Sequence, residues 1–314
     1  MKKEIIVLLL SVCGMLWNGC EQKLVFNFKD QIPIPVVNSI LMAGDDSVRV
    51  QVSWTKNVYE QNDSPVEANA SVNLFKNGQL VGECQYLQNG WYVVAHHVEA
   101  TGVYRIVVNI EGQKTVWGET KVPASLLHAV IEYDTLRGMV INRWTDRNEE
   151  RNYYWISYVE SAYQAVMDTL HLKLCSYLES NSILPDPFNR SFDFEEDIPA
   201  EYDYYLRVED SGLDGKNIEL SYKGGRSYRW KRDTGSYKSV HFILSVDENY
   251  DRYLKSAIMN EAYSGDMDSE PLFYTPLWTF SNIHEGVGLV ASYAKFEDVN
   301  VQVFKKQRRV FKRN

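Results

Sequence analysis

Glycine, proline and cysteine are scarce in this sequence of 314 residues, which contains 18, 9 and 4 of them. With 45% hydrophobic and 24% charged residues, the composition excludes a fibrous repeat, a wholly disordered chain and a multi-span membrane protein. The formal net charge of -9 argues against nucleic-acid binding. Aromatic residues are plentiful (21 Tyr, 12 Phe and 8 Trp), and such side chains favour β structure.

The sequence also lacks the short motifs of the common enzyme classes. It has no GxSxG nucleophile elbow, no P-loop and no GxGxxG dinucleotide motif. His284-Glu285 begins an HExxH zinc motif, but Gly288 stands where the second histidine is required. Gly286-Val287-Gly288 is typical of a turn and not of a phosphate-binding loop. We therefore predict that the chain is not an enzyme and needs no cofactor.

The N-terminal residues predict where the protein resides. Lys2-Lys3 forms a short positive segment, and the apolar run Ile5–Trp17 has the length of a signal-peptide core. The run leads into Asn18-Gly19-Cys20, which resembles a bacterial lipobox. We expect residues 1–19 to be removed and Cys20 to carry lipid such as palmitate, because buried acyl chains anchor a protein stably. Simple secretion is the alternative.

This processing leaves two cysteines in the mature chain, Cys84 and Cys175. In an oxidising envelope the two thiols could form a disulfide. The alternative is that both are small buried hydrophobic residues. Neither cysteine lies in a CxxC spacing, so no zinc site is predicted.

The first folded segment is predicted to be an immunoglobulin-like antiparallel β-sandwich over 36–123, preceded by a tether at 20–35. Val48–Trp54 alternates apolar and polar residues with a period of two, as a half-buried strand does. Asn77-Gly78 and Asn89-Gly90 are the residue pairs preferred in two-residue hairpin turns. Several short strands at this spacing are typical of a sandwich.

One local pattern sharpens that prediction. Gly102-Val103-Tyr104 resembles the entry to the F strand of immunoglobulin-like domains, where the tyrosine hydroxyl bonds back to the preceding loop. Immunoglobulin domains with a disulfide carry cysteine two residues later, and this chain has Ile106 there. We therefore expect the topology of the disulfide-free relatives.

The second segment, 124–304, is predicted to be a mostly β domain with one or two helices. The clearest helix lies near 247–263, where Ser245 and Glu248 fit a capping box and Asp251 can pair with Lys255. The last residues, 305–314, form a basic tail. The fold class is thus mainly β, with an immunoglobulin-like sandwich followed by a second mostly β domain.

Clusters of tyrosine and tryptophan in the second segment offer the candidate contact surface. Aromatic side chains with a polar tip suit ligand platforms and protein interfaces, but they equally suit a β core with a wet rim. The best single candidate for contact with a ligand or partner flanks Gly224-Gly225. Its residues are Tyr228, Arg229, Trp230 and Tyr237. No catalytic residue is predicted.

Two acidic stretches, 193–197 and 266–270, place carboxylates two residues apart. Such groups can gather oxygen ligands for calcium, or supply the acid pair of a glycoside hydrolase. Neither stretch has the EF-hand layout, and acidic loops are commonly solvated, so we predict no metal site. The adjacent His96 and His97 would point to opposite faces of a strand and could not both bind one ion.

Several segments together resemble a family of Bacteroidota outer-membrane lipoproteins known as domain of unknown function 4249. The resemblance runs from about Val36 to Tyr293. It rests on these segments: Pro35–Leu41, Val72–Gly78, Asp214-Gly215-Lys216, the Tyr250-x-x-Tyr253-Leu254 pattern, and Phe280–Ile283 leading into Gly286-Val287-Gly288. The family defines no catalytic residue, so none is carried over.

The resemblance implies a context more than a chemistry. Lipoproteins of this kind tend to be encoded beside TonB-dependent transporters, which suggests an accessory or binding subunit for nutrient uptake. We expect an outer-membrane protein that is attached to the membrane through its N-terminal lipid and faces outward. A surface adhesin or structural lipoprotein is the main alternative, and an envelope hydrolase is a further one.

Overall fold

The computed structural model describes residues 32–56, 65–134, 139–148, 150–164, 170–174, 206–210, 212–223, 235–264 and 278–304. Fifteen strands and one helix lie in these ranges, so the fold is mainly β, as the sequence predicts. The first seven strands are β1 (Pro35–Met42), β2 (Ser47–Trp54), β3 (Ser71–Lys76), β4 (Gln79–Gln88), β5 (Trp91–Ala95), β6 (Val103–Asn109) and β7 (Val116–Lys121).

The remaining elements include the helix, which we call α1. They are β8 (Leu127–Asp134), β9 (Met139–Thr145), β10 (Tyr153–Gln164), β11 (Leu170–Leu174), β12 (Leu206–Glu209), β13 (Asn217–Lys223), β14 (Gly235–Val246), α1 (Glu248–Ser264) and β15 (Val287–Phe304). A twelve-stranded sheet runs in the order β11-β10-β14-β15-β1-β2-β5-β4-β3-β6-β7, with β12 beside β10. A three-stranded sheet has the order β13-β9-β8.

The first seven strands fold into an immunoglobulin-like sandwich, because β4 belongs to both of its layers. The first half of β4 pairs with β3, and its second half pairs with β5. The long sheet thereby doubles back on itself and encloses one core. That core contains Val37, Val50, Val52, Val72, Leu74, Tyr104, Ile106 and Val116.

Local sequence explains the hairpins of this sandwich. Val48, Val50 and Val52 alternate inward along β2, as the period-two pattern predicts. The β3–β4 and β4–β5 turns are Asn77-Gly78 and Asn89-Gly90, with positive φ at both residues of each pair (49° and 81°, 50° and 75°). Two successive positive φ angles define the type I′ turn that the sequence predicts.

Tyr104 forms the tyrosine corner that the sequence predicts. Its side chain is fully buried, and its hydroxyl accepts the backbone N–H of Glu99 at 2.9 Å. The same hydroxyl lies 3.1 Å from Nε2 of His96. One aromatic side chain thus fills the core and also ties down the loop before β6.

The second half of the chain builds a further sandwich on the other end of the long sheet. The three-stranded sheet packs one face against β10, β12 and β14. Their shared core contains Val140, Trp144, Tyr154, Ile156, Tyr158, Val208, Ile218, Leu220, Tyr222 and Ile243. Tyr153 and Trp155 point to the opposite face of β10, which α1 covers with Tyr250, Leu254 and Ile258. The first part of β10, Tyr153–Tyr158, is therefore buried on both faces, and five of its six residues are aromatic or aliphatic.

The helix begins at Glu248 and its N-cap is Asp247, not the Ser245 of the predicted capping box. Ser245 lies in β14, where it pairs with Tyr154 and Ala294. Asp247 Oδ1 accepts the backbone N–H of Tyr250 at 3.0 Å, which satisfies a free donor of the first turn. Among the described residues, no helix combines the length and apolarity that crossing a membrane requires.

A buried ion pair fixes α1 to the sheet. Asp251 is 1% exposed and accepts two bonds from Arg207, from Nε at 2.6 Å and from Nη2 at 2.9 Å. Trp155 Nε1 donates to the same carboxylate at 2.9 Å, and Lys255 lies 3.1 Å from it, in the i, i+4 pair that the sequence predicts. Such a forked, fully bonded pair tolerates burial because each charge is compensated.

The two sandwiches share strand β15. Its first part, Val287–Tyr293, pairs in parallel with β1 of the first sandwich, and its later part pairs antiparallel with β14 of the second. Asn38 Oδ1 accepts the N–H of Leu289 at 3.1 Å within the parallel pairing. One continuous strand therefore crosses from one sandwich to the other.

We expect Tyr104→Phe to lower the free energy of unfolding by about 1–3 kcal/mol, because it leaves the Glu99 N–H without its acceptor. Chemical denaturation measures this directly. Tyr86→Phe is the matched control, since Tyr86 is 42% exposed and its replacement should change the stability by less than about 0.5 kcal/mol. Equal effects of the two substitutions would contradict the role of the hydroxyl.

Candidate functional site

Most of the sequence-predicted contact residues fall outside the described residues. Cys20, Tyr228, Arg229 and Trp230 lie there, as do both acidic stretches, 193–197 and 266–270. Tyr237 lies in β14, whose backbone pairs with β10 on one side and β15 on the other. The contact surface near Gly224-Gly225 therefore stays a prediction.

The aromatic cluster at the start of β10 is core. Its four residues and Tyr222 are no more than 5% exposed, so they cannot serve as a ligand platform. The residues of this cluster are Tyr153, Tyr154, Trp155 and Tyr158. The sequence allowed either a contact platform or a packed β core, and these residues belong to the core.

Cys84 is a free thiol in the core of the first sandwich and is 4% exposed. Burial, followed by the nearby carboxylate of Glu83, raises its pKa to about 11. A protonated, buried thiol is a poor nucleophile. This cysteine therefore behaves as a small hydrophobic residue.

Three carboxylates converge where the two sheets of the second sandwich meet. Asp146 follows β9, Asp210 follows β12, and Asp214 lies in the turn before β13. Each offers one oxygen, and the three oxygens lie within 4.8 Å of one another. We call this group the acidic cluster.

Strand pairing brings these residues together. Thr145 at the end of β9 pairs with Asn217 at the start of β13, and the N–H of Asp146 donates to the carbonyl of Lys216 at 2.9 Å. On the other sheet, the N–H of Asp210 donates to the carbonyl of Asn152 at 3.3 Å. The acidic cluster therefore joins an end of the three-stranded sheet to an end of the twelve-stranded sheet.

Neutral donors surround the two buried members of the acidic cluster. Asp146 and Asp210 are 1% and 6% exposed, whereas Asp214 is exposed. Tyr154 donates its hydroxyl to Asp146 Oδ1 at 2.7 Å. Asn152 donates its backbone N–H to Asp210 Oδ2 at 2.7 Å and its side-chain amide to Asp146 Oδ1 at 3.4 Å.

Burial dominates the electrostatics of this cluster. It raises the pKa of Asp146. The Tyr154 hydrogen bond offsets part of this rise, and the charge of Asp210 adds to it. Burial also raises the pKa of Asp210, where the Asn152 N–H opposes the shift and the charge of Asp214 adds to it. The ionised cluster thus lowers stability at neutral pH, since a raised acid pKa favours the folded state only when the group is protonated.

Sequence reasoning missed the acidic cluster because Asp146 is distant in sequence from Asp210 and Asp214. The resemblance did include Asp214-Gly215-Lys216, and Asp210 lies just before it in the same turn. Asp146, however, comes from a different hairpin, and only the pairing of β9 with β13 reveals it. The available signal was the segment between β12 and β13, in which carboxylates and glycines are close together: Asp210, Gly212, Asp214 and Gly215.

A second polar group is buried between the sheets, centred on His241. Its Nδ1 lies 2.7 Å from the hydroxyl of Tyr222 and its Nε2 lies 3.0 Å from the hydroxyl of Ser239. Tyr158 stacks on the ring and Tyr133 packs edge-on against it. Burial lowers the pKa of His241 to about 4, and the charge of Asp298 opposes this only weakly.

The model of the family described as "Domain of unknown function (DUF4249)" matches residues 21–298. The chain belongs to this family. No curated protein matches the chain.

The solved structures that match this family member share little sequence with it. A two-domain fibronectin type III segment of chicken tenascin has 11% identity and a TM-score of 0.20, with 68% of this chain and 91% of that chain covered. A candidate carbohydrate-binding protein from Bacteroides uniformis has 11% identity and a TM-score of 0.23, with 68% and 89% covered. The collagen adhesin of S. aureus has 8% identity and a TM-score of 0.19, with 86% and 96% covered.

The family-like segment Phe280–Ile283 has a structural role in this member. The side-chain amide of Asn282 bonds to β15 as the backbone of a neighbouring strand would. Its oxygen accepts the N–H of Val290 at 2.9 Å, and its nitrogen donates to the carbonyl of the same residue at 2.7 Å. Gly288 has a φ of 118° and lies against the carbonyl of Val37, so a side chain there would block β1. Asn282 and Gly288 thus allow the start of β15 to pair closely with β1.

We expect the stability of this DUF4249 protein to fall as the pH drops from about 6.5 towards 4, in part through His241. Folding lowers the His241 pKa from 6.5 to about 4, so the unfolded chain binds more protons in that window. Between about pH 7.5 and about pH 5 the wild type should lose on the order of 2 kcal/mol more than His241→Gln. Urea denaturation of both proteins measures this, and equal losses would contradict it.

Proposed function

We propose that this protein is a lipid-anchored outer-membrane lipoprotein that serves as a non-catalytic accessory or binding subunit of a TonB-dependent transporter. The observation that carries the proposal is the N-terminal pattern, a basic pair and an apolar run followed by Asn18-Gly19-Cys20. Membership of the family is consistent with it. The ligand in this proposal is a nutrient taken up by the transporter.

The architecture suits such a role. Strand β1 begins at Pro35, a short distance along the chain from the proposed lipid on Cys20. Residues 20–35 between them are the tether that the sequence predicts. The two β-sandwiches are joined through strand β15, which suits a binding subunit held at the membrane surface.

A surface adhesin or structural lipoprotein is the second candidate. It is favoured by the burial of the Tyr153–Tyr158 cluster, because this removes the most obvious platform for a small ligand. An envelope hydrolase is the third candidate. It gains no support from Cys84, whose thiol is buried and protonated.

We expect Cys20→Ala to abolish fatty-acid labelling of the protein in cells and to release it from the membrane fraction, because the acyl chains provide the anchor. Metabolic labelling followed by fractionation measures both effects. Cys13→Ala is the matched control, since that cysteine should leave with the signal peptide. Labelling that persists in Cys20→Ala would refute the lipid anchor.

We expect the protein to co-purify with a TonB-dependent transporter from detergent-solubilised outer membranes of cells grown under inducing conditions. Mass spectrometry of the complex identifies the partner. A monomer without a transporter under the same conditions would refute the accessory role and favour the adhesin. A Cys20→Ala protein that still binds the transporter would separate recognition from anchoring.

A further inference from the structure

We propose that the acidic cluster of Asp146, Asp210 and Asp214 binds a calcium ion. Calcium takes oxygen ligands at about 2.3–2.6 Å, so two ligands on opposite sides of the ion are about 4.8 Å apart. The three carboxylate oxygens lie within 4.8 Å of one another, which lets all three reach one ion. The site does not depend on lipid anchoring or on a transporter partner.

An unsatisfied oxygen points to a missing cation. Asp146 is 1% exposed, and its Oδ1 is bonded to the hydroxyl of Tyr154. Its Oδ2 is buried and has no hydrogen bond of normal geometry, and the backbone N–H of Gly215 gives the carboxylate only a smaller stabilisation than the Tyr154 hydroxyl does. A buried carboxylate oxygen without a donor is costly, and a coordinated cation removes that cost.

No basic side chain forms an ion pair with the acidic cluster within the described part of the chain, although the charge of Arg151 acts on Asp210 from a distance. Arg151 lies nearby but forms its ion pair with Glu209. Lys216 is in the same turn as Asp214, and its ammonium donates to the carbonyl of Gly212 at 2.7 Å. Two buried carboxylates and a third beside them therefore share a site without a paired positive charge, in contrast to the Arg207–Asp251 pair.

The chemistry of the ligands favours calcium over other divalent ions. The cluster contains carboxylates and neither histidine nor cysteine, which disfavours zinc. The side-chain oxygen of Asn148 lies against Gly215, in the turn that carries Asp214, and adds an amide oxygen near the carboxylates. Calcium accepts such a mixed and irregular oxygen set, whereas magnesium demands near-octahedral geometry.

Bound calcium would connect the two sheets of the second sandwich. Asp146 extends the three-stranded sheet, while Asp210 extends β12 of the twelve-stranded sheet. Asn152, through its bonds to both carboxylates, holds them at a fixed separation before the ion arrives. The ion should therefore stabilise the folded state and the connection between β12 and β13.

The test uses the full chain after treatment with a chelator. Calcium alone should raise the midpoint of thermal unfolding by about 5–10 °C at a hundredfold excess over its Kd. Terbium should give sensitised luminescence that calcium displaces. Tyr154 bonds to Asp146, and its ring lies 5.2 Å from that of Trp144, so energy donors are close to the ion.

Asp214→Asn is the decisive variant, because Asp214 is exposed and its replacement leaves the core intact. It should weaken calcium binding by about tenfold or more. Glu111→Gln, in the turn between β6 and β7, is the matched control and should bind as the wild type does. Asp146→Asn provides a second measurement and should lose the terbium signal.

Three outcomes would overturn the proposal. The first is the absence of both a midpoint shift and terbium luminescence at about 10 mM calcium, beyond the weakest protein sites. The second is calcium binding by Asp214→Asn with the affinity of the wild type. The third is an equal midpoint shift with magnesium, which would contradict the assignment to calcium.

Discussion

The parallel pairing of β1 with β15 is the constraint on which the rest of the structure depends. β15 has 18 residues and pairs with β1 over its first part and with β14 over the remainder, so a single strand belongs to both sandwiches. A side chain beside this junction also joins the neighbouring elements. Asp247 accepts the hydroxyl of Thr120 and the N–H of Ser292 while it also caps α1, so the helix, β7 and β15 meet at one carboxylate.

Buried or partly buried carboxylates recur in this protein, and each is accommodated differently. Asp251 is neutralised by Arg207 and receives the indole N–H of Trp155. Asp247 has neutral donors from three elements, which compensate for its burial. Asp146 has neutral donors on one oxygen and none on the other. Asp251 and Asp247 therefore have structural roles, because partners within the chain compensate for their burial. The buried oxygen of Asp146 that has no donor points instead to a ligand from outside the chain.

Much of the fold could be predicted from the sequence because its signals are local. The Asn-Gly turns, the alternation along β2 and the Tyr104 corner depend on a few neighbouring residues, and all three are present. The cap of α1 was assigned to Ser245 because a capping-box spacing does not reveal that the strand continues to Val246. The acidic cluster could not be predicted, since the partners of Asp146 are set by strand pairing and not by spacing. The lipid anchor and the loop near Gly224 stay predictions.

The long sequence separation of β1 and β15 has a consequence for folding. Asn38 and Leu289, which bond across the β1–β15 junction, are 251 positions apart. During synthesis β1 can pair with β2, but its other edge stays open until residues 287–293 have been made. Contacts between such distant segments form slowly, and open strand edges invite aggregation. Completion of β15 is therefore the step that covers the open edge of β1 and removes this risk of aggregation.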